Sequence, residues 1–226
     1  MIPTVEITSG IRELDGLVSG FKSGEVICID GDSSLISNIP NQICVNTYRM
    51  LHSNVVYIDG GMRTDPYKIS QYARKMEVDQ REVLEHVFIS RAFTVYQLTT
   101  LIQQRLEYII LRYKPRVLIV DHFPLLYFDS DVPSKEAQVL LRNNLNKIKQ
   151  VTTKYNLVTI FTNSGSSVLS NFRNVRDILF DGADEVVLMR QNDSVTHVDA
   201  VKKGRSATIL HLSKEQLRLC DFGLVM

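Results

Sequence analysis

The sequence predicts an α/β protein with a mainly parallel sheet, flanked by helices and carrying antiparallel strands at its C-terminal end. Two observations support this fold class. Short apolar runs rich in branched residues alternate with segments of helical periodicity over most of the chain, as parallel strands joined by crossover helices require. After Asp181-Gly182, four strand-like runs follow one another without helical segments between them, which favours antiparallel pairing.

Five short runs are predicted to form the parallel strands. Their apolar residues are nearly continuous rather than alternating, which indicates strands that are buried on both faces. The runs cover residues 25–30, 54–59, 87–90, 116–121 and 157–162.

Helical segments are predicted between these strands. One begins near Asp65-Pro66, because aspartate is a common N-cap and proline is favoured in the first turn. Another covers about residues 95–113, and a third follows Pro133-Ser134. Both carry a single apolar stripe with steps of three and four residues. The stripes comprise Val95, Leu98, Ile102, Leu106, Ile109 and Tyr113 in the first, and Ala137, Leu140, Leu141, Leu145 and Ile148 in the second.

The four C-terminal runs cover residues 185–189, 195–201, 207–212 and 217–224. The segment Lys203-Gly204-Arg205 is a hairpin turn signal between the second and the third. No Pro/Gly/Ser-rich linker and no internal repeat interrupts the sequence. We therefore predict one domain over residues 1–226.

Composition excludes several classes of protein. The 226 residues are 44% hydrophobic and 23% charged with a net charge of +1, so neither global disorder nor an overall attraction to polyanions is expected. Three scattered cysteines and five histidines lack ligand spacing, so no disulfide framework and no metal site is predicted. The N-terminus lacks a signal-peptide pattern and no apolar run is long enough to span a membrane, so we expect a cytoplasmic protein.

The segment after the first parallel strand lies where a phosphate-binding loop is expected, but it does not match Gly-x-x-x-x-Gly-Lys-Ser/Thr. Counting from Gly31, the second glycine position holds Ile36, the lysine position Ser37 and the hydroxyl position Asn38. A branched side chain hinders the backbone from curling around phosphate, and the cation is lost. We predict an ordinary strand–loop–helix connection, with Asn38 as cap and Pro40 in the first turn. Weak anion binding at that helix N-terminus stays open.

Several segments resemble the core of the RecA/RadA recombinase superfamily. They are Ile7-Thr-Ser-Gly-Ile-Arg-Glu-Leu-Asp-Gly16 with Gly24-Glu-Val, Val56-Tyr-Ile-Asp59, Ile89-Ser-Arg-Ala-Phe-Thr94, Val117-Leu-Ile-Val-Asp121 and Thr159-Ile-Phe-Thr-Asn163. Their order and spacing resemble the RadA branch with its strand-exchange paralogues, across nearly the whole chain. The resemblance implies a RecA-like fold without the N-terminal helical domain of full recombinases.

The resemblance also implies functional positions, and most of them differ in this sequence. The family's glutamate that activates the attacking water corresponds to Gly61, and its Asn-Gln pair that senses the γ-phosphate corresponds to Asn163-Ser164. Only Asp121 keeps the expected residue type. Losing an electrostatic stabiliser or a general base each costs orders of magnitude in rate. We therefore predict no ATPase activity, no cofactor and a vestigial nucleotide cleft at Gly31, Ser37, Asn38 and Asp121.

A stretch without acidic residues, 137–176, predicts a site for single-stranded DNA. In RecA-like folds two loops face nucleic acid, and their counterparts here are residues 127–133 and 164–176. The candidate contacts are Arg142, Lys147, Lys149, Phe172, Arg173 and Arg176, with Phe172 as a stacking ring. Asp129 and Asp131 in the first loop argue against DNA contact. The alternative is a solvated helix face with Phe172 in the core.

These observations favour a non-catalytic RadA-like recombinase paralogue, an accessory or regulatory protein in homologous recombination and DNA repair. The expected partner is a recombinase or another recombinase paralogue, with single-stranded DNA as a second contact. Self-association stays open. Two alternatives also stay open: a KaiC-like nucleotide-binding switch, and a protein-interaction scaffold without DNA contact.

Overall fold

The computed structural model describes residues 5–164, 173–192 and 195–210. Its strands are β1 Glu6–Ile7, β2 Phe21–Lys22, β3 Val26–Gly31, β4 Val55–Asp59, β5 Val87–Arg91, β6 Val117–Asp121, β7 Val158–Ser164, β8 Glu185–Asn192, β9 Val195–Ala200 and β10 Arg205–Leu210. The first two form a separate antiparallel pair, and the other eight form one sheet in the order β10-β9-β8-β3-β7-β6-β4-β5. All five predicted parallel strands are confirmed. The predicted strand over residues 217–224 lies outside the described residues.

The helices lie between these strands in the sequence. They are α1 Arg12–Val18, α2 Ser33–Ile36, α3 Ile39–Leu51, α4 Pro66–Lys75, α5 Gln80–Glu85, α6 Val95–Thr100, α7 Leu106–Tyr113, α8 Ser134–Tyr155 and α9 Arg173–Gly182, with a π-helical segment Leu101–Arg105 and a 3₁₀ helix Leu125–Phe128. Asp65 caps α4 as predicted, because its side chain accepts a hydrogen bond from the Tyr67 amide. Within the described parts of the chain, no helix combines the length and apolar character needed to cross a bilayer.

The pairing of the strands confirms the α/β class with antiparallel C-terminal strands. Strands β3 to β7 pair in parallel, whereas β9 is antiparallel to both β8 and β10. One detail differs from the sequence pattern, because β8 runs parallel to β3 and belongs to the core of the sheet. The helix α9 supplies the crossover that a parallel connection needs, although the sequence predicts a loop over residues 164–176.

Alternate residues of the central strands pack into two apolar clusters, one on each face of the sheet. On β3, Val26 and Cys28 belong to one cluster, and Ile27 and Ile29 belong to the other. Helices α6 to α9 cover the first cluster, and α1 with α3 to α5 covers the second. Coverage of both faces explains why the strands read as continuous apolar runs in the sequence.

The predicted helix over residues 95–113 is continuous but contains a wider π-helical turn. Its buried residues Leu98, Ile102, Leu106 and Ile110 follow one another at steps of four, so Ile110 rather than Ile109 is buried at the C-terminal end. In an α-helix each four-residue step turns the side chain about 40° past a full turn. The π-helical turn offsets this drift and keeps the stripe facing the sheet.

Candidate functional site

Buried polar side chains gather where the central parallel strands end. Asp30, Asp59 and Asp121 lie at or next to the last residues of β3, β4 and β6, and Asn163 lies near the end of β7. The Asn163 amide donates to Asp30 Oδ1 over 2.7 Å. The carboxyl ends of parallel strands share one edge, which is where open α/β sheets bind their ligands. A cavity of about 320 Å³ opens at this edge, and we call it the cleft.

The segment after β3 forms a helical turn rather than an open loop. The amides of Leu35 and Ile36 both donate to the Asp32 carbonyl, over 2.9 and 3.2 Å, so they do not point into the cleft. The Ile36 side chain is fully buried. This geometry agrees with the predicted strand–loop–helix connection. Pro40 lies in the first turn of α3 as predicted, whereas Asn38 occupies the N-cap position without a side-chain capping hydrogen bond.

The predicted cleft residues divide into two pairs. Ser37 and Asp121 line the cleft, whereas Gly31 and Asn38 are not among its lining residues. Gly31 faces β8, where a Cβ atom would lie 2.2 Å from the Met189 carbonyl oxygen. The close pairing of β3 with β8 is therefore enough by itself to require glycine at this position.

The Asp121 carboxylate is held by other side chains of the protein. The Tyr57 hydroxyl donates to Oδ2 over 2.8 Å, and the Thr162 hydroxyl donates to Oδ1. His122 Nδ1 lies 3.1 Å from Oδ1. Burial acts to raise the pKa of Asp121, but its contacts with His122, Thr162 and Tyr57 outweigh burial and lower that pKa. Asp121 is thus a charged residue whose two oxygens are already hydrogen-bonded.

The imidazole of His122 fills the space beside Gly61. A Cβ atom on Gly61 would lie 2.7 Å from His122 Cγ and 2.8 Å from His122 Cβ. The resemblance assigns a glutamate to this position, and His122 leaves no room for its side chain. His122 is 2% exposed and lines the cleft, so it is a packed side chain that also forms part of the cleft wall.

Two cations at the mouth of the cleft have no counterpart in the sequence prediction. Arg63 and Lys68 line the cleft from the segment that follows β4, and both are exposed. No motif singles them out, because only the topology of the sheet brings this segment next to the end of β3. Arg63 and Lys68 can therefore be identified as cleft residues only when the order of the strands in the sheet is known.

The segment carrying Arg63 is fixed by the carboxylate of Asp59. Asp59 Oδ1 accepts from the amides of Gly61 and Arg63, over 3.0 and 3.3 Å, and Oδ2 accepts from the Thr64 amide over 3.1 Å. Arg91 binds both ends of this arrangement, since its Nε lies 3.3 Å from Asp59 Oδ2 and it donates to the Thr64 carbonyl over 2.7 Å. The backbone at the mouth of the cleft is thus well ordered by hydrogen bonds.

Three of the predicted DNA contacts, Lys147, Lys149 and Arg176, lie beside acidic residues. Lys147 pairs with Glu107 at 3.1 Å, and Lys149 pairs with Asp184 at 3.1 Å. Arg176 lies 3.6 Å from Asp30 and stacks 4.8 Å from the Phe180 ring centre. Arg142 is exposed, Arg173 begins α9, and Phe172 lies outside the described residues.

Basic residues of the stretch 137–176 therefore pair with acidic residues from other parts of the chain. Glu107 accepts from Lys154, Tyr155 and Lys147, and these hydrogen bonds lower the pKa of Glu107 to about 2. Glu107 lies on α7, and α7 precedes this stretch in the sequence. DNA contact through these residues stays a prediction.

The order of the strands in the sheet and the polar side chains at their carboxyl ends together identify the class of protein. The architecture is that of the RecA-like α/β proteins, with a cleft at the carboxyl ends of the central strands. The Rad51 family model matches residues 2–178, which is more than half of the chain, so the chain belongs to the Rad51 family. The match includes every residue of the cleft and ends inside α9. Among the described residues, His, Cys, Asp and Glu side chains nowhere form a group of three that could hold a metal ion.

Proposed function

We propose that this member of the Rad51 family is a non-catalytic, RadA-like paralogue, which acts as an accessory or regulatory protein in homologous recombination. The observation that supports the proposal is that both carboxylate oxygens of Asp121 are already hydrogen-bonded within the protein. Its oxygens accept hydrogen bonds from Tyr57 and Thr162, and the neighbouring His122 fills the position next to Gly61. A carboxylate engaged in this way is a poor ligand for a magnesium ion, and no general base lies at the glutamate position.

The donor set of the cleft does not fit a magnesium–nucleotide complex. Phosphate-binding loops offer free backbone amides, a lysine and a hydroxyl ligand for the metal. Here the amides of Leu35 and Ile36 donate to Asp32, and the lysine and hydroxyl positions hold Ser37 and Asn38. These substitutions support a role in protein assembly rather than in ATP hydrolysis.

A protein partner is the first expected outcome of this proposal. RecA-like cores stack on neighbouring subunits through the nucleotide face, and a core without ATP chemistry still offers that face. Met62 and Tyr67 lie near the mouth of the cleft with exposed fractions of 62% and 68%. When the tagged protein is used as bait in a native extract, we expect mass spectrometry to recover a recombinase or another paralogue.

A matched pair of variants tests whether the partner binds at the cleft. Met62→Ser with Tyr67→Ser is expected to weaken binding at least tenfold, because truncating a tyrosine that anchors the centre of an interface costs about 2 kcal/mol or more. The control is Tyr108→Ser with Leu111→Ser on α7, whose exposed fractions are 62% and 58%. A monomeric protein that recovers no recombination protein would contradict the proposal.

Single-stranded DNA binding is the second expected outcome. Neutralising about four or five phosphates predicts a slope of about −3 to −3.5 in log K against log salt. Replacing Arg173 and Arg176 together by Gln should flatten that slope by roughly 1.4. The control variant is Lys202→Gln with Lys203→Gln, because these ammonium groups donate to the carbonyls of Ala183 and Val18.

Fluorescence anisotropy with a labelled oligonucleotide at several salt concentrations measures both slopes. An unchanged slope in the double arginine variant would remove these residues from the site. Absence of binding at low salt would favour the alternative of a scaffold without DNA contact.

A nucleotide-binding switch of the KaiC-like kind is the second candidate function. The observation that favours it is the cleft itself, with Arg63 and Lys68 at its mouth. Binding of ATP without turnover, measured by isothermal titration calorimetry, would support this candidate over the accessory role.

A further inference from the structure

The segment between β4 and the first turn of α4 forms an exposed surface at the mouth of the cleft, which we call the basic ridge. It comprises Met62, Arg63, Pro66, Tyr67 and Lys68, and all five residues are exposed. Tyr67, at 68%, has the largest exposed fraction of any large apolar or aromatic residue in the described parts of the chain. Grouped exposed apolar side chains indicate an interaction site, and Tyr, Met and Arg are enriched in the cores of protein interfaces.

The backbone of the basic ridge is held in place by the rest of the protein. The carboxylate of Asp59 accepts three backbone amides of this segment, and Asp65 accepts the Tyr67 amide over 2.9 Å. Met62 has a φ of +54°, a left-handed conformation that is uncommon for a residue other than glycine. Such a conformation persists only where the surroundings impose it. A surface fixed in this way loses little conformational entropy on binding a partner.

The exposed charges of the basic ridge are positive. Among the described residues, the side chains of Arg63 and Lys68 take part in neither a hydrogen bond nor an ion pair. Three carboxylates lie near them and reduce the positive potential. Asp121 lines the same cleft but is 3% exposed, Asp59 is fully buried, and Asp65 caps α4. A partner at the ridge can therefore pair with the two cations, whereas the charges of Asp59 and Asp121 stay inside the protein.

We propose that the basic ridge binds an acidic segment of a partner protein. Carboxylates of that segment pair with Arg63 and Lys68, and its apolar side chains enclose Met62 and Tyr67. A protein segment fits this surface better than a nucleic acid does, because phosphates and sugars would leave the apolar surface of Met62 and Pro66 uncovered. This inference rests on the proposed function, since it specifies the chemistry of the partner in the assembly.

Site-specific photo-crosslinking in the full-length protein tests the proposal. The variant Tyr67→benzoylphenylalanine is irradiated in a native extract, and mass spectrometry identifies the crosslinked segment. We expect a protein segment in which several Asp or Glu residues flank an apolar residue. The matched control is Tyr108→benzoylphenylalanine on α7, where the native side chain has an exposed fraction of 62%, and it should not capture this segment.

Charge reversal tests the two cations with the partner that the crosslink identifies. Arg63→Glu with Lys68→Glu is expected to lower the association rate constant at low salt by about tenfold or more. The difference should shrink as salt is added, because ions screen exposed charges. Arg74→Glu with Lys75→Glu at the end of α4 changes the net charge equally and should lower the rate constant much less. Replacing the crosslinked segment's acidic residues by Lys should restore fast association with the first variant.

Several outcomes would overturn the proposal. They are a crosslink from position 67 to nucleic acid, to a second copy of this chain or to a segment without acidic residues, the absence of any crosslink there, and equal rate losses in the two charge-reversal variants. The proposed function fails by a different result. An acidic segment from a protein outside recombination would contradict the accessory role and leave this inference standing, whereas a recombination protein captured through a neutral or basic segment would do the reverse.

Discussion

ATP hydrolysis by the purified protein is expected to stay at the rate of a protein-free buffer, with or without single-stranded DNA. Removing one electrostatic stabiliser lowers an enzymatic rate by about 10² to 10³, and removing a general base lowers it by about 10² to 10⁴. These losses are not additive, but Ser37 and Gly61 stand where the resemblance places both groups. Phosphate release in the presence of Mg²⁺ is the measurement. Turnover that disappears on Asp121→Ala would contradict the expectation.

Restoring the family's residues is expected to fail for a steric reason. The variant Ser37→Lys with Gly61→Glu should gain no turnover, because a glutamate Cβ would lie 2.7 Å from His122 Cγ. Forcing extra atoms into a packed site costs about 1–3 kcal/mol, so the variant should also be less stable. Adding His122→Gly should recover stability, since the ring is removed and the φ of +53° at this position suits glycine.

The variant Gly31→Ala is expected to lose roughly 3 kcal/mol of folding stability, a factor of about 100 in the folding equilibrium. Its Cβ would lie 2.2 Å from the Met189 carbonyl oxygen. That oxygen belongs to the backbone of β8, directly opposite Gly31 in the sheet, so it cannot move without opening the pairing of β3 with β8. Urea unfolding followed by circular dichroism measures the loss.

The matched control for Gly31→Ala is Gly16→Ala. Gly16 lies in α1, and a Cβ built there meets no atom within 4 Å among the described residues outside its own helix backbone and chain neighbours. Replacing an unstrained helical glycine by alanine is expected to stabilise the protein by roughly 0.5–1 kcal/mol. Equal stability of the two variants would show that Gly31 is not a packing requirement, and would reopen its reading as a remnant of a phosphate loop.

Much of the fold follows from the sequence because its signals are local. Runs such as residues 117–120 are apolar at every position, which identifies strands covered on both faces. Asp65 and Pro66 mark the start of a helix by their own backbone chemistry. The order of the motifs, together with these elements, is also enough to indicate the RecA-like class before any contact is known.

The sequence by itself determined the five parallel strands, the helices over residues 95–113 and after Pro133, the fold class and the residues at the phosphate-loop positions, whereas the tertiary structure decided what surrounds each functional position. In the sequence Lys149 appears as a free cation, but in the structure it pairs with Asp184. Gly61 appears only as the loss of the family's glutamate, but in the structure His122 occupies the space that the glutamate side chain would need. Arg63 becomes a cleft residue only because β4 and β3 end at the same edge. Charge pairing and steric exclusion act over a few ångströms. The residues concerned lie far apart in the sequence, so their contacts cannot be predicted from the sequence alone.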